Sequence, residues 1–185
     1  MILKEEVANT NVRLQAAVLD RETVVSSVIL AAALVGGALL RLWQINAMGF
    51  NTDEAVYSGQ AAALAGIPVL KDIFPVFRAH PLLFQVFLSL VYRIQFSDLA
   101  GRLLAVAVGL GTVFLAYQTG KTLYGKMTGA FAALFLALMP YHVLVSRQVL
   151  LDGPMVFFTT LTMYFLSRFG VSQKPDSYLF FLPFD

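Results

Sequence analysis

The sequence predicts an all-α integral membrane protein, with about four transmembrane helices and two juxtamembrane helices in the first loop between spans. Three observations predict it. The chain is 58% hydrophobic with a mean hydropathy of +0.74. Only 13% of its residues are charged, against about 25% for a soluble domain, so it lacks the polar surface that water requires. Its charges gather between apolar runs, several of which are long enough to cross a bilayer core as helices. These features exclude a soluble enzyme and a disordered tail. They exclude a nucleic-acid binder too, since the net charge is +2 and no lysine–arginine block offers a phosphate footprint. The chain contains no cysteine, which excludes disulfides, thiolate metal sites and a cysteine nucleophile.

The first apolar run is residues 23–40, between Glu22 and Arg41. It reads as an uncleaved anchor, because it exceeds a signal-peptide core and no cleavage site precedes Arg41. The second run is 103–120, between Arg102 and Lys121, and the third is 127–146, between Lys126 and Arg147. The fourth, 153–167, is short, but Arg168 can snorkel to the interface. Residues 81–92 are apolar but too few to span, so they predict an interfacial helix. The organisation is therefore a cytoplasmic segment 1–22, a transmembrane module 23–170 with a long loop 43–101, and a tail 171–185.

Orientation follows from the lysines. Lys121 and Lys126 sit in the short turn between the second and third runs, and such turns stay cytoplasmic. The loop 43–101 and the connection 147–153 then face outside. Arg41, Arg78, Arg93, Arg102 and Arg147 fall on that outer side against the rule, which makes them a functional signal.

In the long loop, Asn51 followed by Glu54 has the spacing of a capping box, with Asp53 and Glu54 in the first helical turn. The alanine-rich stretch 55–65 continues that helix, and Gly66 and Pro68 end it. Asp53 and Glu54 have two readings. They complement the helix dipole, or, beside the outer cations, they stay ionised and serve as a general base. Asp152 is either the cap of the fourth span, ahead of Gly153-Pro154, or an outer carboxylate for a metal or the acceptor. Arg147 is a snorkelling residue or a phosphate ligand. His80, beside Pro81 and Arg78, is placed for contact with phosphate or metal. His142 reads as a half-buried histidine bonded to backbone. Gly120-Lys121-Thr122 is not a phosphate-binding loop, because Leu115 stands where the first glycine is required.

Taken in order, the chain carries an anchor helix, Asp53-Glu54 with Tyr57 downstream, His80-Pro81 before an apolar helix, and Arg102-Leu103-Leu104 opening a span. A Tyr124-Gly125 turn follows, and Pro140 to Ser146-Arg147 leads into Leu151-Asp152-Gly153-Pro154. Over residues 42–164 this resembles the N-terminal module of the GT-C glycosyltransferases, such as protein O-mannosyltransferases and aminoarabinose transferases. The resemblance implies a multi-pass enzyme of a prokaryotic plasma membrane with its active face outside. It implies a polyprenyl-phosphate sugar donor, an acceptor hydroxyl on protein, lipid or glycan, and inversion at the anomeric carbon. The proposed base maps to Asp53 with Glu54 beside it, and the donor-phosphate element to His80-Pro81. Arg78 and Arg147 supply further cations, and Asp152 is the ligand for a divalent metal, Mg2+ or Mn2+. Leu82 departs from the family, which often has a second proline there. Family members also carry further spans, so this module expects completion by more chain or a partner. The rival expectation is a non-catalytic membrane subunit packed in a larger complex.

The cysteine-free background permits a direct check of the topology. Single cysteines replacing Asp53 and Lys121 should react with a membrane-impermeant reagent from opposite faces. Labelling of both from one face would reverse the arrangement.

Overall fold

The computed structural model describes residues 2–47, 49–74 and 82–172. Arg78, His80, Pro81 and the tail after Ser172 lie outside the described residues. Those described form eight helices, with no strand among them. The long helix α1 (Ile2–Leu42) joins the polar lead and the first apolar run without a break. The loop holds α2 (Thr52–Ala65), the short α3 (Pro68–Lys71) and α4 (Leu83–Ile94). The remainder is α5 (Asp98–Tyr124), α6 (Lys126–Leu138), α7 (Pro140–Val145) and α8 (Asp152–Ser172).

Two stretches are long and apolar enough to cross a membrane, Asp20–Leu42 in α1 and Asp98–Tyr124, the whole of α5. Helices α4 and α6 are shorter apolar elements. Helix α8 has 21 residues, about 32 Å at 1.5 Å per residue, but Thr159, Thr160, Thr162 and Arg168 dilute its apolar sequence. The described residues are thus all-helical, with two candidate spans and several shorter apolar helices.

The expected continuous third run, 127–146, is corrected. It is two helices, α6 and α7, separated at Met139, which is extended at φ −62° and ψ 117°. The cause is Pro140, the first residue of α7. Proline has no N–H, its ring clashes with the preceding turn, and the residue before it is pushed out of the helical region.

That break leaves carbonyls without helical partners, and Arg41 takes one of them. Its Nη1 donates to the Ala137 carbonyl at 3.1 Å and to the Gly37 carbonyl at 2.9 Å. Its Nε donates to Ser146 Oγ at 2.7 Å, and its Nη2 meets His142 Nδ1 at 2.7 Å. Arginine can only donate, so Nδ1 of His142 must accept, and the ring proton sits on Nε2. Arg41 is thus fully buried, and fastens the end of α1 to the α6–α7 break. The expected backbone bond of His142 is corrected, since its half-buried ring engages Arg41 instead.

The core has two parts. Ala33, Val113, Tyr117, Ala130, Ala133 and Ala137 join α1, α5 and α6. Alanines there let helix backbones approach closely, the means by which helices associate without a hydrophobic drive in lipid. The second part, Ala61, Ala62, Phe84, Leu88, Tyr92 and Val149, seats the loop helices α2 and α4 on the α7–α8 connection. A hydrogen bond of 2.6 Å between Ser58 and Tyr92 ties α2 to α4 within it.

Helix α5 passes α7 so closely at Gly109 that an added Cβ would collide with the Ser146 side chain, which also holds Arg41. Gly109→Ala should therefore destabilise the protein. Overpacking costs about 1–3 kcal/mol, and this outweighs the roughly 1 kcal/mol that alanine gains over glycine in a helix. Gly36→Ala, where nothing lies within 4 Å, should be neutral or stabilising. Thermal unfolding in detergent compares the two.

Candidate functional site

The site is built at the N-terminus of α2. Asn51 caps the helix, its side chain accepting from the Glu54 N–H at 2.9 Å. The Glu54 side chain returns to the Asn51 N–H at 3.3 Å, completing the capping box that the sequence predicts. Gly66 closes the other end in the left-handed conformation, φ 93°, which costs glycine little.

Glu54 does far more than cap. Its Oε1 accepts from Arg102 Nε at 3.1 Å and from the Val149 N–H at 3.0 Å. Its Oε2 accepts from Arg102 Nη2 at 3.0 Å. With the Asn51 bond, both oxygens are filled to the capacity of a carboxylate. The residue is 2% exposed. A carboxylate so engaged has no lone pair left to take a proton from an acceptor, and its role is that of an anchor. Arg102 extends the anchor, donating to the carbonyls of Ile45 at 2.7 Å and Gly49 at 3.1 Å. Its guanidinium also lies 5.0 Å from the centre of the Phe50 ring. The seam so formed joins the end of α1, the start of α2, the start of α5 and the α7–α8 connection.

Asp53, the neighbour of Glu54, points elsewhere and is exposed. Successive helix positions differ by about 100°, so the two adjacent acids face different surroundings. Tyr57 lies one turn further along the Asp53 side. Burial pushes the Tyr57 phenol above its ordinary value, and the Asp53 and Asp152 carboxylates raise it further. Both carboxylates are therefore near enough to Tyr57 to act on it electrostatically. Asp152 is brought towards α2 because Val149 and Gln148 bond to it, through Glu54 and through Asn51 Nδ2 to Gln148 Oε1 at 2.9 Å. It is the first residue of α8 rather than a cap ahead of it.

Two cavities flank this region. One, about 410 Å3, is lined wholly by apolar side chains of α4, α5 and α8, among them Phe84, Phe87, Leu104, Pro154 and Phe157. Its Pro154 edge is two residues from Asp152. The other, about 350 Å3, lies between the end of α1 and the α7–α8 connection and is lined by Trp43, Gln44, Asn51, Glu54, Arg102, Arg147 and Gln148, among others. Arg147 thus lines a cavity that Asp53, Tyr57 and Asp152 do not. Its Nη2 donates to the Trp43 carbonyl.

Among the described residues no group of three His, Asp or Glu side chains could hold a metal ion, and His80 lies outside them.

The family described as dolichyl-phosphate-mannose-protein mannosyltransferase matches residues 79–184, more than half of the 185 in the chain. The chain belongs to this family. It carries a membrane glycosyltransferase module of the GT-C type. The match includes Arg102, Arg147 and Asp152, while Asp53 and Glu54 precede it. No curated protein and no solved structure matches the mannosyltransferase-family chain.

Sequence reasoning missed the Glu54–Arg102 pair and the Arg41 lock. Each had a signal, a charge abutting an apolar run, but no spacing linked Glu54 to a cation 48 positions away. The pair can be tested by stability. Glu54→Ala leaves Arg102 buried without its counter-charge and should cost about 3–5 kcal/mol. Asp53→Ala forfeits only a helix-dipole contribution of about 0.3–1 kcal/mol. Thermal unfolding of the two variants should separate them clearly.

Proposed function

We propose that the chain is the reaction end of a membrane mannosyltransferase in which Asp53 is the general base. The observation that carries this reading is the division of labour between adjacent acids. Glu54 is saturated and buried, whereas Asp53 is exposed, held on a capped helix, and, with Asp152, acts electrostatically on the Tyr57 phenol. An acceptor hydroxyl oxygen attacks the anomeric carbon of the sugar. Its proton passes to Asp53 as the new C–O bond forms. The bond from that carbon to the phosphate oxygen breaks, and the electron pair leaves with the polyprenyl phosphate. Direct displacement inverts the anomeric centre.

The family's description supports a dolichyl-phosphate-type mannose donor and a protein acceptor. The apolar cavity lined by Pro154 and Phe157 supports a lipid-linked donor, because every side chain in its lining is apolar. Arg78 and His80 are our assignment for the leaving phosphate, whose developing charge needs cations placed in advance. The Tyr57 phenol, held above its ordinary value, stays protonated at neutral pH. Asp152 orients the acceptor on this reading, and no step is routed through a metal.

Removing a general base typically costs about 10²–10⁴-fold in rate. Asp53→Asn should reduce transfer of mannose from a polyprenyl-phosphate donor by that amount in membranes of cells expressing the full-length enzyme. Its thermal unfolding and co-purifying partners should stay as in the parent. Undiminished transfer in Asp53→Asn would remove Asp53 from the mechanism and favour the non-catalytic subunit.

A further inference from the structure

We propose that the cavity lined by Trp43 and Arg147 binds the phosphate of an anionic membrane phospholipid, separately from the sugar donor. The cavity contains two arginines and one acid. Glu54 and Arg102 neutralise each other at 3.0 Å, so Arg147 is the uncompensated cation of the lining. One of its five N–H donors goes to the Trp43 carbonyl among the described residues. That contact holds the guanidinium at the cavity edge and leaves the planar fork available. Such a fork matches a phosphate through paired N–H···O bonds. The volume, about 350 Å3, lies within the range of about 300–1,000 Å3 that holds small ligands.

The surroundings suit a lipid more than a soluble phosphate. Trp43 follows directly on the apolar helix α1 and is 71% exposed, the placement of an aromatic at a membrane–water interface. Below it Leu39, Leu40 and Leu42 are exposed along α1, an apolar track for acyl chains. Gln44 beside it takes a left-handed conformation, φ 47°, which is uncommon for a non-glycine residue. That bend turns the chain at the level of the headgroups.

The donor belongs on the other side. The cavity's lining includes Glu54 but neither Asp53, Tyr57 nor Asp152. The hydrogen-bonded residues Asn51, Glu54 and Gln148 line it, and Asp53 is turned about 100° from Glu54 around α2. The apolar cavity, in contrast, is lined by Pro154, two residues from Asp152 in sequence. The inference needs only that the protein sits in a membrane, and its readout does not depend on transfer.

Trp43 is the single tryptophan of the chain, so its emission is the one indole signal, and comparison with Arg147→Gln separates the cavity's share from that of the surrounding lipid. The full chain would be reconstituted in phosphatidylcholine vesicles containing brominated phosphatidylglycerol or brominated phosphatidylcholine. One arginine at an anionic lipid surface corresponds to about a fivefold preference, so quenching should show phosphatidylglycerol favoured by at least that factor. Arg147→Gln should abolish the preference, and Arg147→Lys should retain part of it. Equal quenching by the two lipids in the parent protein would overturn the proposal, as would an undiminished preference in Arg147→Gln. Added polyprenyl phosphate should leave the quenching unchanged. If it relieves quenching at equimolar amounts, the cavity is the donor's phosphate site and the proposal fails.

Discussion

The contact between Glu54 and Arg102 governs the arrangement around the start of α2. Both groups are nearly inaccessible, and a buried charge is tolerable only when it is paired and its remaining polar atoms are bonded. That requirement explains the geometry around them. Glu54 has two oxygens to fill, and it fills them from Arg102, from the cap of its own helix and from the Val149 N–H. Arg102 has donors left over, and they take the carbonyls of Ile45 and Gly49. Three pieces of chain far apart in sequence are thereby held in one arrangement. Asp53 inherits its position from that arrangement, as does Asp152.

Arg41 solves a related problem at the same end of the bundle by different means. Its partners among the described residues are carbonyls, a hydroxyl and a neutral imidazole. The proline break between α6 and α7 releases the acceptors that make this possible. Arg41 and Arg102 both hold backbone segments together, and Arg147 gives one donor to the Trp43 carbonyl.

The two cavities divide the surroundings of α2 by polarity. The one lined by Pro154 and Phe157 is apolar and set between α4, α5 and α8. The one beside Trp43 is polar and cationic. Between them stand the hydrogen-bonded residues of the seam. The proposed reaction brings a lipid-linked donor and a polar acceptor to Asp53, and the bonded seam between the two cavities is a physical way to keep their routes distinct.

Much of this was determined by sequence alone. Charge-free runs placed α1 and α5, because a helix is the economical way to satisfy backbone polar groups in hydrocarbon. The spacing of Asn51 and Glu54 placed the start of α2 and its capping box, because those bonds join residues three apart. The order of short motifs pointed to the GT-C family, and the match over residues 79–184 agrees. Local sequence could not separate Asp53 from Glu54, since both are acids in the same first turn. Tertiary structure did so by bringing Arg102 and Val149 to one and leaving the other exposed. It likewise decided that Arg41 is buried and that the third apolar run is broken, with its freed Ala137 carbonyl taken by a distant side chain. The reason is the same in each case. Helix formation and capping depend on neighbours within a turn, whereas the burial of a charge depends on which remote groups arrive to satisfy it.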